Sequence, residues 1–323
     1  MEGAEVRNDL DQDGLDDTLE EEVLRRFRPR FLVSSEDCDG LPAKFESDST
    51  VPRAVTSDGT IYGQVFPVSP PGTSGFLIEV HYYHLWKRDC GDFGHELDTE
   101  VISTLLHSDR LDAPSTEWRS VYWYAAAHEG TLCDSSNAAR SEDIGAQSRG
   151  AAVWISAGKH ASFLSVELCE RVGCGGDRCE QMQLAPEREL INVGELGSPM
   201  NGADWIASEA WPLSEKMETH FGLALLMRFE SSESDQVFFT EEPLPTTKPL
   251  LLAGNKTYGA LGVGSHYTGV ALRTAGTHTD RAVGRAFKEA GRSFLGTLRA
   301  VGSFLGLSGK KADPEAQGRE EPE

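Results

Sequence analysis

The sequence predicts a mainly β protein, in which a β-sandwich-like domain lies between an N-terminal calcium-loop leader and a helical C-terminal region. From about residue 30 to residue 240, short runs of β-branched and aromatic residues alternate with clusters of Gly, Pro, Asp and Ser. Helical patterns of about 10 to 15 residues do not separate successive runs, which favours a sandwich over alternating βαβ units. An acidic motif before this region and an amphipathic pattern after it define the flanking parts.

The composition argues against two classes of protein. The 323 residues include 52 acidic and 30 basic side chains, and the net charge of −22 repels a phosphate backbone, so we expect no nucleic-acid partner. A transmembrane helix needs about 18 or more consecutive apolar residues, and the sequence has no such run. We therefore expect a globular protein without a transmembrane segment.

Residues 1–29 are predicted to form an acidic EF-hand-like loop and a short helix. Residues 9–20 match the pattern D-x-[DN]-x-[DN]-G-x5-E of calcium loops at every constrained position. The oxygen ligands that Ca²⁺ prefers would come from Asp9, Asp11, Asp13, the Leu15 carbonyl, Asp17 and Glu20. Asp16 stands where such loops usually carry an aliphatic residue. The alternative interpretation is an acidic, solvated leader that holds no ion.

The remaining elements follow in chain order. Apolar residues recur at helical spacing from Leu19 to Phe27, and Pro29 then ends this first helix. The sandwich-like domain, residues 30–240, is predicted to contain strands at 61–68, 76–86, 101–106, 120–128, 151–157 and 236–240. A helix packed on the sandwich is predicted over residues 208–229.

A second candidate metal site precedes the predicted strand 101–106. In an extended chain Asp98 and Glu100 point to one face, and His95 in the preceding turn can fold towards them. One imidazole and two carboxylates suit Mg²⁺, Mn²⁺, Ca²⁺ or Zn²⁺, and the sequence does not choose among these ions. His128 and His160, which follow other strands, are natural partners for this site. Alternatively, His95, Asp98 and Glu100 are exposed surface side chains that bind no ion. His128 and His160 would then cap strand ends by hydrogen bonding to the backbone.

The residues Gly94, His95, Asp98 and Glu100 resemble the G-H-x-x-D-x-E signature of the necrosis-inducing protein family. They also resemble the H-x-G-D-W-E signature of the vacuolar-protein-sorting sixty-two-like family, whose G-S-H-A-N-Y strand end is similar to residues 158–163 here. The second resemblance implies a β-sandwich without an established reaction. The first implies a metal-bearing pocket that recognises a membrane sphingolipid. Leu97 and Thr99 depart from both signatures.

The chain has six cysteines, which are candidates for disulfides: Cys38, Cys90, Cys133, Cys169, Cys174 and Cys179. The last three are spaced as either a disulfide-stapled loop or a thiolate metal knuckle, and we favour disulfides in an exported protein. No signal peptide is visible in the sequence. We predict an extracellular or cell-envelope protein, and the alternative is a cytoplasmic protein with reduced thiols.

The C-terminal region is divided into three predicted parts. Residues 241–277 form a Pro/Gly-rich connection, residues 278–308 an amphipathic helix, and residues 309–323 a disordered tail. Seven basic residues and one acidic residue lie between positions 281 and 311. This composition suits contact with a membrane surface through residues 279–307, or docking of the helix on its own acidic domain.

Three functions follow from these features. The first is a metal-binding, exported β-sandwich protein, with Ca²⁺ as the expected ion, that acts in binding or surface attachment. The second is a metal-dependent hydrolase in which His95, Asp98 and Glu100 hold an ion of unspecified identity that activates water. The third is a membrane-active, toxin-like protein. The sequence leaves the substrate and the catalytic residues unknown.

Overall fold

The computed structural model describes residues 8–46, 53–68, 74–91, 94–129, 134–172, 177–194, 219–231 and 237–240. The predicted connection 241–277, the amphipathic helix 278–308 and the tail 309–323 lie outside the described residues, as does the first part of the predicted helix 208–229. The division into these parts stays a prediction.

The described residues form three helices, α1 (Asp17–Arg26), α2 (Val166–Val172) and α3 (Leu223–Ser231). None of the three is long and apolar enough to cross a membrane. The predicted first helix is confirmed: Asp16 caps it by accepting hydrogen bonds from the amides of Thr18 and Leu19. This cap explains why Asp16 replaces the aliphatic residue that is usual at its position in the loop.

Seven strands form the larger sheet: β4 (Ile61–Val68), β5 (Phe76–Arg88), β6 (Glu96–Ser108), β7 (Arg119–Ala125), β8 (Asn137–Arg140), β12 (Leu190–Asn192) and β13 (Phe238–Phe239). Their order across the sheet is β12-β4-β5-β6-β7-β8-β13. The β12–β4 pair is parallel and the others are antiparallel.

The second layer is a four-stranded sheet of β1 (Arg30–Ser34), β9 (Ala152–Ile155), β10 (Ser162–Phe163) and β11 (Met182–Leu184). Its strand order is β10-β9-β1-β11. A separate hairpin joins β2 (Lys44–Phe45) to β3 (Ala54–Thr56). The mainly β, sandwich-like fold that the sequence predicts is thus present.

The residues of β5 alternate between two apolar clusters, as the pleat of a strand requires. Ile78, Val80 and Tyr82 lie in the core between the two sheets, together with residues of α1, β1 and β9. Leu77 and Tyr83 belong to the cluster on the outer face of the seven-stranded sheet. Phe221, two residues before α3, and Phe229 within α3 help to cover this face. Both faces of the central strands are therefore buried.

Each of the six predicted strands has a counterpart, and the bounds differ most at the start of β6 and the end of β7. Strand β6 begins at Glu96, five residues before the predicted start, because it pairs with β5 along its whole length. Strand β7 ends at Ala125, so His128 lies beyond it in a turn with a positive φ of 56°. The strands that sequence patterns missed are short, apart from the five-residue β1.

Candidate functional site

The carboxylates of the acidic N-terminal loop lie close together. One ligand oxygen from each of Asp9, Asp11 and Asp13 lies within 4.8 Å of the other two, and the same holds for Asp11, Asp17 and Glu20. All five predicted side-chain ligands therefore belong to two groups that share Asp11. Oxygen atoms gathered in this way are the donor set that Ca²⁺ takes.

The loop backbone reverses direction tightly at its centre. Gly14 adopts a φ of +100°, which favours glycine, and its amide donates to Asp9 Oδ2 at 3.2 Å. The Leu15 amide donates to Asp13 Oδ1 at 2.8 Å, and the Leu15 side chain is buried in the core between the sheets. Residue 15, the predicted carbonyl ligand, is thus anchored by its side chain.

The electrostatics of the loop favour a bound cation. Burial raises the pKa of Asp13, and the negative charges of Asp11, Asp9 and Asp17 raise it further, while the hydrogen bond from the Leu15 amide lowers it. Asp9 Oδ1 is buried and has no hydrogen-bond partner among the described residues. These features fit Ca²⁺, for which Asp9, Asp11, Asp13, Asp17, Glu20 and the Leu15 carbonyl would supply oxygens.

The residues of the second predicted site differ in their burial. His95 is exposed, and its Nδ1 lies 3.4 Å from the carbonyl oxygen of Glu96. Asp98 and Glu100 are buried within β6. Among the described residues, the groups of three ligating side chains within 4.8 Å include neither His95 nor Glu100. Strand β6 begins at Glu96 and carries the carboxylates of Asp98 and Glu100 into the sandwich, whereas His95 precedes the strand.

His160 does meet Asp98, in a buried ion cluster. Its Nδ1 lies 2.9 Å from Asp98 Oδ2, its Nε2 lies 3.4 Å from Asp37 Oδ2, and its ring stacks on Trp86 at 3.9 Å. Burial lowers the pKa of His160, but the two carboxylates outweigh that effect and raise it to about 9. At neutral pH the imidazole is therefore a cation between two anions, which is a poor metal ligand.

The disulfides argue against metal binding at two groups that contain cysteines. Asp37, Cys38 and His160 approach within 4.8 Å, but the Cys38 sulfur is bonded to Cys90. A second bridge joins Cys169 to Cys179, so these two do not act as thiolates of a metal knuckle. The other two candidates, Cys133 and Cys174, lie outside the described residues.

His128 is held by a carboxylate of its own. Its Nε2 lies 3.0 Å from both oxygens of Asp177, and the Ser156 hydroxyl donates to Asp177 Oδ1 at 2.8 Å. Burial lowers the pKa of His128, whereas the charge and hydrogen bond of Asp177 raise it more, with a smaller contribution from Glu100. The Asp177 carboxylate therefore holds the His128 ring in place.

Sequence reasoning missed a third group, Glu79, His81 and His220. One ligand atom of each lies within 4.8 Å of the other two. The available signal was the pair Glu79 and His81, polar residues two apart in the mainly apolar first half of β5. His220 is distant in sequence, and no local pattern connects it with them.

No protein-family model matches the chain, and no curated protein matches its sequence. Solved structures similar to it include one described as a toxin fold for microbial attack and plant defense, NLPPya in complex with glucosamine, and the non-toxic HaNLP3 protein. Their sequence identities are 14%, 14% and 13%, and their TM-scores 0.30, 0.32 and 0.31. They cover 62%, 64% and 62% of this chain, and 80%, 82% and 81% of their own chains. Two of the three are described as NLP proteins, and none is described as a vacuolar-protein-sorting protein.

Proposed function

We propose that the protein is an extracellular, calcium-binding β-sandwich protein that acts in binding or surface attachment. The proposal rests on the close approach of the carboxylates of the acidic loop and the first turns of α1: Asp9, Asp11, Asp13, Asp17 and Glu20. It also rests on the buried Asp9 Oδ1, which has no hydrogen-bond partner in the part of the chain that the structure describes. Bringing five carboxylates together is unfavourable without a counter-charge, and a divalent cation supplies it.

The bound ion would stabilise the first part of the sandwich. Glu20 belongs to α1 and is 2% exposed, while Leu15 in the loop packs into the main core. A ligand on these residues would therefore fasten the loop and α1 to the sheets. Binding to the folded state alone stabilises a protein by about 2.7 kcal/mol at a ligand concentration 100 times its Kd.

The proposed extracellular location is supported by the two disulfides. Bridges such as Cys38–Cys90 and Cys169–Cys179 persist in oxidising compartments and are rare in the cytosol. Calcium modules outside cells work with a Kd of about 10⁻⁴ to 10⁻³ M, which a single exposed loop can provide. The cytoplasmic alternative would require these thiols to be reduced.

The other two functions have less support. A hydrolase using His95, Asp98 and Glu100 would need these side chains on one ion, but His95 is exposed and Asp98 is paired with His160. A membrane-active function would depend on residues 279–307, which lie outside the described residues. Both functions therefore rank behind calcium binding.

Thermal unfolding and calorimetry of the full chain test the calcium site. After EDTA treatment we expect Ca²⁺ to bind with one equivalent and to raise the Tm, and Mg²⁺ to act more weakly because it demands a stricter geometry. Asp13→Asn should abolish the Ca²⁺-dependent rise in Tm.

Asp112→Asn is the matched control, since this carboxylate is 70% exposed and lies outside the loop. It should retain the full response to Ca²⁺. A wild-type protein that binds no Ca²⁺, or an Asp13→Asn variant that responds as wild type does, would overturn the proposal.

A further inference from the structure

The outer face of the seven-stranded sheet carries a buried polar cluster beneath the segment that leads into α3. Glu79 and His81 on β5 have fully buried side chains. His220, three residues before α3, lies over them with a side chain that is 9% exposed. The surrounding cluster is otherwise apolar and includes Leu77 and Phe221. Burying polar groups among apolar side chains is unfavourable unless they are paired with each other or bind a metal ion.

The distances within the cluster approach those of a metal-binding tripod. His81 Nε2 lies 2.7 Å and His220 Nδ1 3.4 Å from the same oxygen, Glu79 Oε1. Ligands placed at about 2.0 to 2.1 Å around a tetrahedral ion are about 3.3 Å apart. The His220 contact already has this separation, and the His81 contact needs to open by about 0.6 Å.

We propose that Glu79, His81 and His220 bind a divalent transition-metal ion of the Zn²⁺ class. Two imidazoles and one carboxylate are a ligand set of catalytic and non-haem metal sites. Ca²⁺ takes six to eight oxygen ligands and is poorly served by such a set. The site is therefore distinct from the acidic loop in both position and chemistry.

The hydrogen bonds and ring contacts around the three side chains also suit metal binding. His81 Nδ1 lies 3.1 Å from the hydroxyl oxygen of Tyr83, so when Nε2 binds a metal, Nδ1 can donate to Tyr83. The amide of His220 donates to Glu79 Oε1 at 2.6 Å and orients this carboxylate. The ring of His220 lies between those of His81 and Tyr124, at centroid distances of 4.8 and 4.3 Å. These contacts therefore orient the side chains of Glu79, His81 and His220 without a bound ion.

Glu129 contacts the other nitrogen of the His220 ring. Its Oε1 lies 3.8 Å from His220 Nε2 and accepts a hydrogen bond from the Tyr124 hydroxyl, and its side chain is 29% exposed. A bound ion would link β5 to the segment before α3. It would thereby hold that segment against the outer face of the seven-stranded sheet.

Metal titration of the full, tag-free chain tests the site. After EDTA treatment and in saturating Ca²⁺, which fills the acidic loop, we expect one equivalent of Zn²⁺ by calorimetry and a tetrahedral visible spectrum with Co²⁺. His220→Ala should weaken Zn²⁺ binding by at least about 100-fold, since even outer-shell changes cost about 10- to 100-fold. His95→Gln, which alters an exposed imidazole, should bind as wild type does.

His81→Gln is a second test at a buried position, and its folding is checked by circular dichroism. Asp13→Asn should lose the response to Ca²⁺ and keep the response to Zn²⁺. Failure of the calcium proposal can therefore be distinguished from failure of the zinc proposal. Wild-type protein that binds no Zn²⁺, or equal binding by a folded His220→Ala variant, would show that the cluster is only a hydrogen-bond network around Glu79.

Discussion

At the scale of single residues, His160 shows how an unfavourable burial is offset by paired charges. Its imidazole is fully buried, and it lies between Asp37 and Asp98 and against the ring of Trp86. The Gly158 amide donates to Asp37 Oδ2 at 2.8 Å and fixes one of the two anions. Removing one partner of such a cluster leaves an uncompensated buried charge, which costs more than the intact cluster contributes.

We expect His160→Gln to lower the free energy of unfolding by about 3 to 5 kcal/mol at pH 6. The pKa of His160 is raised from 6.5 to about 9, so its contribution is complete below pH 6.5 and is lost as the pH rises through 9. The pKa of Asp37 is lowered from 3.8 to about 2, so its contribution is lost only as the pH falls through that range. Urea unfolding from pH 4 to pH 9 should show the loss shrinking above pH 6.5.

His95→Gln serves as the control, because this imidazole is exposed. It should follow the wild-type stability at every pH. If His160→Gln does not fold, Asp37→Asn reports on the same cluster. A stability loss that stays constant up to pH 9 would contradict a charged His160.

At the scale of secondary-structure elements, α1 depends on a close approach to β4. Leu24 of α1 is buried in the main core, and its carbonyl oxygen accepts a hydrogen bond from the Tyr82 hydroxyl at 3.0 Å. A Cβ atom on Gly63 would lie 2.5 Å from Leu24 Cδ2. Glycine at this position on β4 therefore allows the helix that follows the acidic loop to pack against the sheet.

Gly63→Ala should destabilise the protein by about 1 to 3 kcal/mol, because the buried Leu24 must shift to accept the added methyl group. Gly222→Ala is the matched control, since nothing lies within 4 Å of its added Cβ. Urea denaturation with and without Ca²⁺ measures both. A Gly63→Ala variant as stable as Gly222→Ala would contradict the proposed packing of α1.

The elements that the sequence predicts are those whose pattern is local. β5 and β6 have long β-branched and aromatic runs, and α1 has a cap, an apolar stripe and a following proline. β8, with the sequence Asn-Ala-Ala-Arg, has no strand pattern and is a strand because it pairs with β7. Likewise, the approach of His220 to His81 depends on chain topology, which no local spacing encodes.

At the scale of the whole molecule, a disulfide joins the two layers of the sandwich at one end. Cys38 follows β1 of the four-stranded sheet, and Cys90 lies between β5 and β6 of the seven-stranded sheet. The Cys90 amide also donates to the carbonyl of Gly158, at 2.7 Å. The bridge therefore holds together the same region in which Asp37, His160 and Asp98 meet. The Cys169–Cys179 bridge, by contrast, closes a short segment.

The two bridges should differ in their contribution to stability. They span 52 and 10 positions, for which loop-closure entropy gives about 4 and about 3 kcal/mol. The replacement C38S/C90S should also loosen the ion cluster of His160, so we expect the larger loss of unfolding free energy there, with a weaker dependence on pH above 6.5 than in wild type. Guanidinium unfolding of C38S/C90S and C169S/C179S compares them directly. A larger loss in C169S/C179S would mean that the connection between the sheets is held mainly by the apolar core, and that the Cys38–Cys90 bridge adds little to it.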